Sequence, residues 1–191
     1  MLVVLTLPSV LATGAVAHNS STMAQALIAD GPAPSIASLD CPYAWLVGRW
    51  NVRVIDHVDG KRVESSGEWH FAWVLEGRAI QDVWIAPARD DRADLAPDRP
   101  NRYGSTLRSY DPKRRQWRAV WTNPVSGAFD ILWARRSGAD LIQEGLDSEG
   151  NSMRWVFTDI TADSARWYGE RSRDGGKNWV LEAEFFLRRA D

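Results

Sequence analysis

From Leu46 onward the chain alternates apolar and polar residues in short runs, and clusters of Gly, Pro, Asn and Asp interrupt those runs about every ten positions. In Glu68-Trp69-His70-Phe71-Ala72-Trp73 an aromatic ring occupies every second position, the period of a strand with one buried face. Ten strands are predicted, at 48–56, 62–75, 78–86, 102–110, 116–122, 128–136, 140–146, 152–160, 165–172 and 178–188. No segment after Gly48 carries a sustained helical period. The expected fold is all-β, a single antiparallel up-and-down barrel, because closing ten consecutive strands on themselves removes two exposed edges.

The alternation assigns an inner face. Trp50, Trp69, Phe71, Trp73, Ile80, Trp84, Trp117 and Trp121 fall on it, followed by Phe129, Ile131, Trp133, Trp155, Phe157, Trp167, Trp179, Leu181, Phe185 and Leu187. So much contiguous apolar area on the outside would drive association, so this face is expected inside. Asp82, Arg135, Gln143 and Arg171 share its phase; each then needs a partner, a place on the rim, or a polar group of a guest. A barrel of more than about eight strands has room for a small molecule. The expected ligand-binding set is Trp73, Asp82, Trp84, Trp121, Trp133, Trp155, Trp167 and Arg171.

Outside the barrel, a short helix is expected between Asn19 and Asp30, a linker over 31–44, and the barrel domain over 45–189. Residues 1–30 read as a leader in one of two ways. The apolar run to Ala17 ends in Ala-Val-Ala like a signal peptide, which implies secretion or the periplasm; alternatively Met23 is the start, which implies the cytoplasm. Pro8 and Gly14 break that run below the length of a stable membrane span. The polar connection 87–101 is too long for a hairpin and reads as a lid or a disordered loop.

Composition narrows the chemistry. Eleven Trp in 191 residues is far above a typical domain. A net charge of −2 with intermingled signs gives no footprint for nucleic acid. The single cysteine, Cys41, excludes an internal disulfide. His18, His57 and His70 form no cluster with metal-ligand spacing, so no metal and no cofactor is expected. Asp82, mid-strand between Ile80 and Trp84, and His70 are the candidates for acid/base catalysis.

Trp45-Leu46-Val47-Gly48-Arg49-Trp50 resembles the opening of lipocalin-type barrels, where a Gly-x-Trp begins the first strand. The stretches LEGRAIQDVW (75–84), GSTLRSYDP (104–112), RWVFTDIT (154–161) and GERSRDGGKNW (169–179) resemble a bacterial group of lipocalin-like proteins of unassigned function. That resemblance implies a calycin-type barrel with an internal cavity and brings no reaction with it. The helix pair that covers the mouth of fatty-acid-binding proteins has no counterpart here, where only a turn at Asp59-Gly60 fits. Three functions follow: binding of a small, mostly apolar molecule, aromatic ones included, between the Trp side chains; an isomerase, cyclase or hydrolase of the same fold; and a pocketless barrel that forms a homodimer through a strand edge.

Overall fold

The computed structural model describes residues 21–39, 41–92 and 101–190. The leader reading of residues 1–17 and most of the lid reading of 87–101 lie outside the described residues. Helix α1 (Ser21–Leu27) leads into a two-residue strand β1 (Ile28–Ala29), and a one-turn helix α2 (Pro34–Ala37) follows. No helix here is long and apolar enough to cross a membrane.

Ten strands then run in an unbroken antiparallel meander: β2 (Gly48–Val58), β3 (Lys61–Val74), β4 (Ala79–Ala86), β5 (Arg102–Asp111), β6 (Gln116–Asn123), β7 (Ala128–Ser137), β8 (Asp140–Leu146), β9 (Ser152–Thr158), β10 (Ser164–Ser172) and β11 (Val180–Arg189). Each pairs with its neighbours in sequence, and β11 pairs back onto β2 from Ala183↔Asp56 to Arg189↔Trp50. This is the closed barrel that the turn spacing predicts. Closure consumes the strand edge on which a homodimer was expected to form; among the described residues only the short β1, paired to Val74 and Trp73 of β3, adds an outer edge.

The meander fixes two ends. The turns at 75–78, 112–115, 138–139 and 159–163 form the base, and those at 59–60, 124–127, 147–151 and 173–179 form the mouth, where β4 also ends and β5 begins. The base is plugged by the chain just before β2. A 3-10 turn, Ala44–Leu46, buries Tyr43 and Leu46 completely. Trp50 donates its indole N–H to the Leu46 carbonyl at 2.7 Å, and Trp45 stands edge-on to both Trp50 and Phe157. The Arg189 guanidinium lies 3.9 Å over the Trp50 ring and donates to the carbonyls of Trp45, Val47 and Ala162. The segment 31–44, expected as a linker, therefore packs on the barrel: Ala33, Ile36 and Tyr43 belong to the core.

The inner face follows the alternation on β2 to β6, and differs on β7. Leu132 and Ala134 are buried there, whereas Phe129 is 60% exposed and Ile131 41%. The β6–β7 hairpin sets Trp121 opposite Asp130 and Arg118 opposite Trp133, so Asp130 turns in and Trp133 turns out. Both faces of β7 carry apolar residues, and register decides between them; the hairpin, not the pattern, fixes that register. The Arg114 guanidinium covers the outward Trp133 ring at 4.4 Å. Arg135 also points outward, into a two-bonded pair with Glu144. Trp179 precedes β11 instead of lying within it, and Arg154 stacks on its ring at 4.1 Å.

Arg189→Ala removes the guanidinium that ties the last strand to the base plug. We expect a loss of about 2–4 kcal/mol in urea denaturation, against no more than about 0.5 kcal/mol for the exposed neighbour Arg188→Ala. Equal effects from the two would dismiss the role assigned to Arg189.

Candidate functional site

Midway up the barrel, five aromatic side chains form a closed collar. Trp84 meets Trp121 at 6.3 Å between ring centroids, Trp121 meets Trp155 at 5.9 Å, and Trp155 meets Trp167 at 5.8 Å. Trp167 stacks on Phe185 at 4.3 Å, and Phe185 stacks on Trp84 at 5.5 Å, which closes the circle. Trp69 adds a sixth ring, edge-on to Trp167 and Phe185. Aromatic pairs of this kind contribute about 0.5–1.5 kcal/mol each beyond the area they bury.

The collar surrounds a void of about 110 Å³, walled by these six rings and Thr106. A cavity of this order lined by carbon is stable without water and accepts a single aromatic ring. Drug-sized pockets are larger, roughly 300–1,000 Å³. Glycine makes the collar geometrically possible. A Cβ at Gly104 would lie 1.8 Å from Cη2 of Trp121, and one at Gly169 would lie 2.9 Å from Cη2 of Trp167. Each glycine is the surface on which an indole lies, the close approach that glycine within a strand signals. The wall is almost wholly apolar, and the indole nitrogens of Trp69, Trp84 and Trp167 are buried without an acceptor. The Thr106 hydroxyl also lacks a partner.

Between the void and the base plug lies a buried polar layer. Asp82 and Arg108, each 1% exposed, form an ion pair through Arg108 Nη1 and Asp82 Oδ2. The other carboxylate oxygen, Oδ1, accepts the Thr106 N–H at 3.0 Å. Arg108 sits between the rings of Tyr43 and Phe71, at 5.2 and 5.3 Å. Tyr43 donates its hydroxyl to Gln143 at 2.9 Å, and burial pushes the phenol pKa well above its ordinary value. Pairing and hydrogen bonding are what make such burial tolerable.

Of the expected ligand set, the collar gathers Trp84, Trp121, Trp155 and Trp167. Trp73 lies lower, against the segment that covers the base. Trp133 is outside the barrel, and Asp82 serves Arg108 without lining the void. Arg171 stands inside the mouth, paired with Asp147 and with Glu182. His70 is on the outer face, 2.7 Å from Glu68, which also binds the backbone N–H, Nε and Nη2 of Arg89 and so holds the start of the 87–101 connection. Those bonds from Arg89 keep the Glu68 carboxyl far below the usual carboxylate range. Neither candidate acid/base residue touches the cavity. Trp69, Thr106 and Phe185 join the wall; Arg108 and Tyr43 escaped notice, although Gly104, Thr106, Arg108 and Tyr110 share one strand phase. No group of His, Cys, Asp and Glu able to hold a metal occurs among the described residues.

No family model and no curated protein sequence matches this chain. Among solved structures it is similar to the S-type phycobiliprotein lyase CPES from Guillardia theta, with a TM-score of 0.52 and 9% sequence identity over 78% of this chain and 90% of that one. At that identity the likeness is one of fold, a lipocalin-like calycin barrel.

Asp82→Asn leaves a buried guanidinium without its counter-charge, and we expect it to cost about 3–5 kcal/mol in chemical denaturation. The double replacement Asp82→Leu with Arg108→Met removes both charges and should recover most of that loss. A double variant as unstable as the single one would show that the pair is not the stabilising unit described.

Proposed function

We propose that the barrel is a binding protein whose guest is a compact, mostly apolar molecule containing one aromatic ring, held inside the collar of Trp84, Trp121, Trp155, Trp167 and Phe185. The observation that carries this reading is the void itself: rings able to interlock instead leave about 110 Å³ between them. An interior packed to the density of an organic crystal closes such spaces, because an unfilled void forfeits dispersion contacts on every side. A ring placed there recovers those contacts. Larger guests require the half-exposed indoles of Trp121 and Trp155 to move.

The alternative of an enzyme rests on less. The fold neighbour is named a lyase. In this chain Asp82 is engaged by Arg108 and the Thr106 amide, and His70 by Glu68 on the far side of the sheet. General acid/base chemistry needs a titratable group within hydrogen-bond reach of the guest, directly or through one water.

The test is a titration of intrinsic tryptophan fluorescence with benzyl alcohol, a neutral single-ring probe. Saturable quenching or a spectral shift at millimolar probe is expected, with a rise in melting temperature at saturation. Gly104→Ala drives a methyl group into the Trp121 ring and should weaken the response by an order of magnitude while costing about 1–3 kcal/mol of stability. A flat titration of the folded wild-type protein would end the binding reading.

A further inference from the structure

Above the collar, on the inner side of the mouth, carboxylates outnumber the cations they face. Asp147 and Glu182 both pair with Arg171. Asp147 is further saturated by the N–H groups of Glu149 and Asn151 and by the Asn151 amide. Asp130 is the third carboxylate, and the same Arg171 is the cation it faces. It forms no hydrogen bond and no contact ion pair among the described residues. Arg102, 5.1 Å over the Trp84 ring, pairs with Asp56 at the same opening. Asp56, Asp130, Asp147 and Glu182 against the guanidiniums of Arg102 and Arg171 leave the interior of the mouth net negative.

Asp130 is also placed against the cavity. Thr106, Trp121 and Asp130 are successive partners across β5, β6 and β7, a single row on the inner face. Thr106 and Trp121 are walls of the void. Residues directly opposite on neighbouring strands have Cβ atoms roughly 4.5–5.5 Å apart, so the Asp130 carboxylate is one side chain away from a guest lying against Trp121. Burial raises the Asp130 pKa from its ordinary value, Arg171 lowers it, and the charges of Asp147 and Glu182 raise it again. Asp130 thus shares the field of one guanidinium with two carboxylates that contact it directly, and has no contact partner of its own among the described residues.

Two features of the cavity bear on the sign of the guest. The unpartnered donors, Trp69, Trp84 and Trp167 through their indole N–H and Thr106 through its hydroxyl, would favour an acceptor, yet these atoms are buried and offer almost no surface to a guest. The aromatic rings present carbon, whose faces attract cations. The mouth and the collar therefore point the same way.

Resting on the binding reading above, we infer that the guest is an aromatic amine: one ring inside the collar, with a protonated amino group reaching the Asp130 carboxylate at the mouth. Asp130 is then a specificity-determining residue, which selects cationic over neutral and anionic rings of the same size.

Benzylamine, benzyl alcohol and benzoate, of like shape and different charge at neutral pH, separate the possibilities when titrated into the whole protein by calorimetry and fluorescence. Benzylamine should bind roughly tenfold more tightly than benzyl alcohol at low salt, lose most of that advantage in 1 M salt, and benzoate should bind most weakly. Asp130→Asn should reduce the preference for benzylamine over benzyl alcohol to about twofold or less, with an unchanged circular dichroism spectrum certifying the fold; Glu182→Gln should reduce it partially. Equal affinity for amine and alcohol, or tighter benzoate binding through the unpartnered donors, overturns the inference and leaves the binding reading intact. Failure of all three probes overturns both.

Discussion

The pairing of β11 with β2 is the constraint on which everything else depends. It joins the two ends of a ten-strand meander, so the inward side chains of β2 and β11 meet, and the interior is enclosed, only through that closure. The base plug makes the pairing durable. Arg189 stands at the end of β11 and spreads over Trp50 while capping carbonyls of the turn before β2, so the first and last strands are held by one guanidinium as well as by their ladder. Backbone hydrogen bonds give the sheet its curvature, but it is the plug that makes the interior a chamber with one accessible end.

Inside, the layers differ in chemistry along the axis. The base is aromatic and aliphatic, the next layer is polar and ion-paired at Asp82 and Arg108, the collar is carbon with a void, and the mouth is ionic. The polar layer has a consequence for the void. Asp82, Arg108 and the Thr106 backbone fix one another through directional bonds, and removal of either Asp82 or Arg108 leaves the other charge stranded in low dielectric. That layer cannot slide upward to fill the space, and the indoles that rest on Gly104 and Gly169 cannot settle lower. The void persists because its neighbours are pinned by requirements other than packing.

Much of this was legible in the sequence, and the limits have physical causes. Turn residues at regular spacing give the strand count, since backbone reversal demands Gly, Pro, Asn or Asp whatever the tertiary context. On β3 and β4 one face is so heavily aromatic that alternation settles orientation. On β7, Phe129, Ile131 and Trp133 compete with Leu132 and Ala134, and the hairpin register breaks the tie toward the smaller set. That choice moved Trp133 out of the site and brought Asp130 into it. Arg108 stayed hidden because a buried arginine in a strand has the same letter as an exposed one; only its partner Asp82, 26 positions away, distinguishes them. Tyr43 lay in a Pro- and Ala-bearing stretch with no strand period. Whether a crowd of Trp rings fills a barrel or encircles a space depends on fractions of an ångström that no alphabet encodes.

Phe185, which completes the aromatic circle, belongs to the final strand. During synthesis the other four members of the circle emerge before it, and they remain without their fifth until β11 has been made. Bringing β11 to β2 spans well over a hundred residues, and pairings so distant in sequence form slowly. A growing chain therefore holds many indoles and no enclosed chamber. The chamber exists only once the barrel is closed, and any shortening that removes β11 abolishes it altogether instead of merely loosening it.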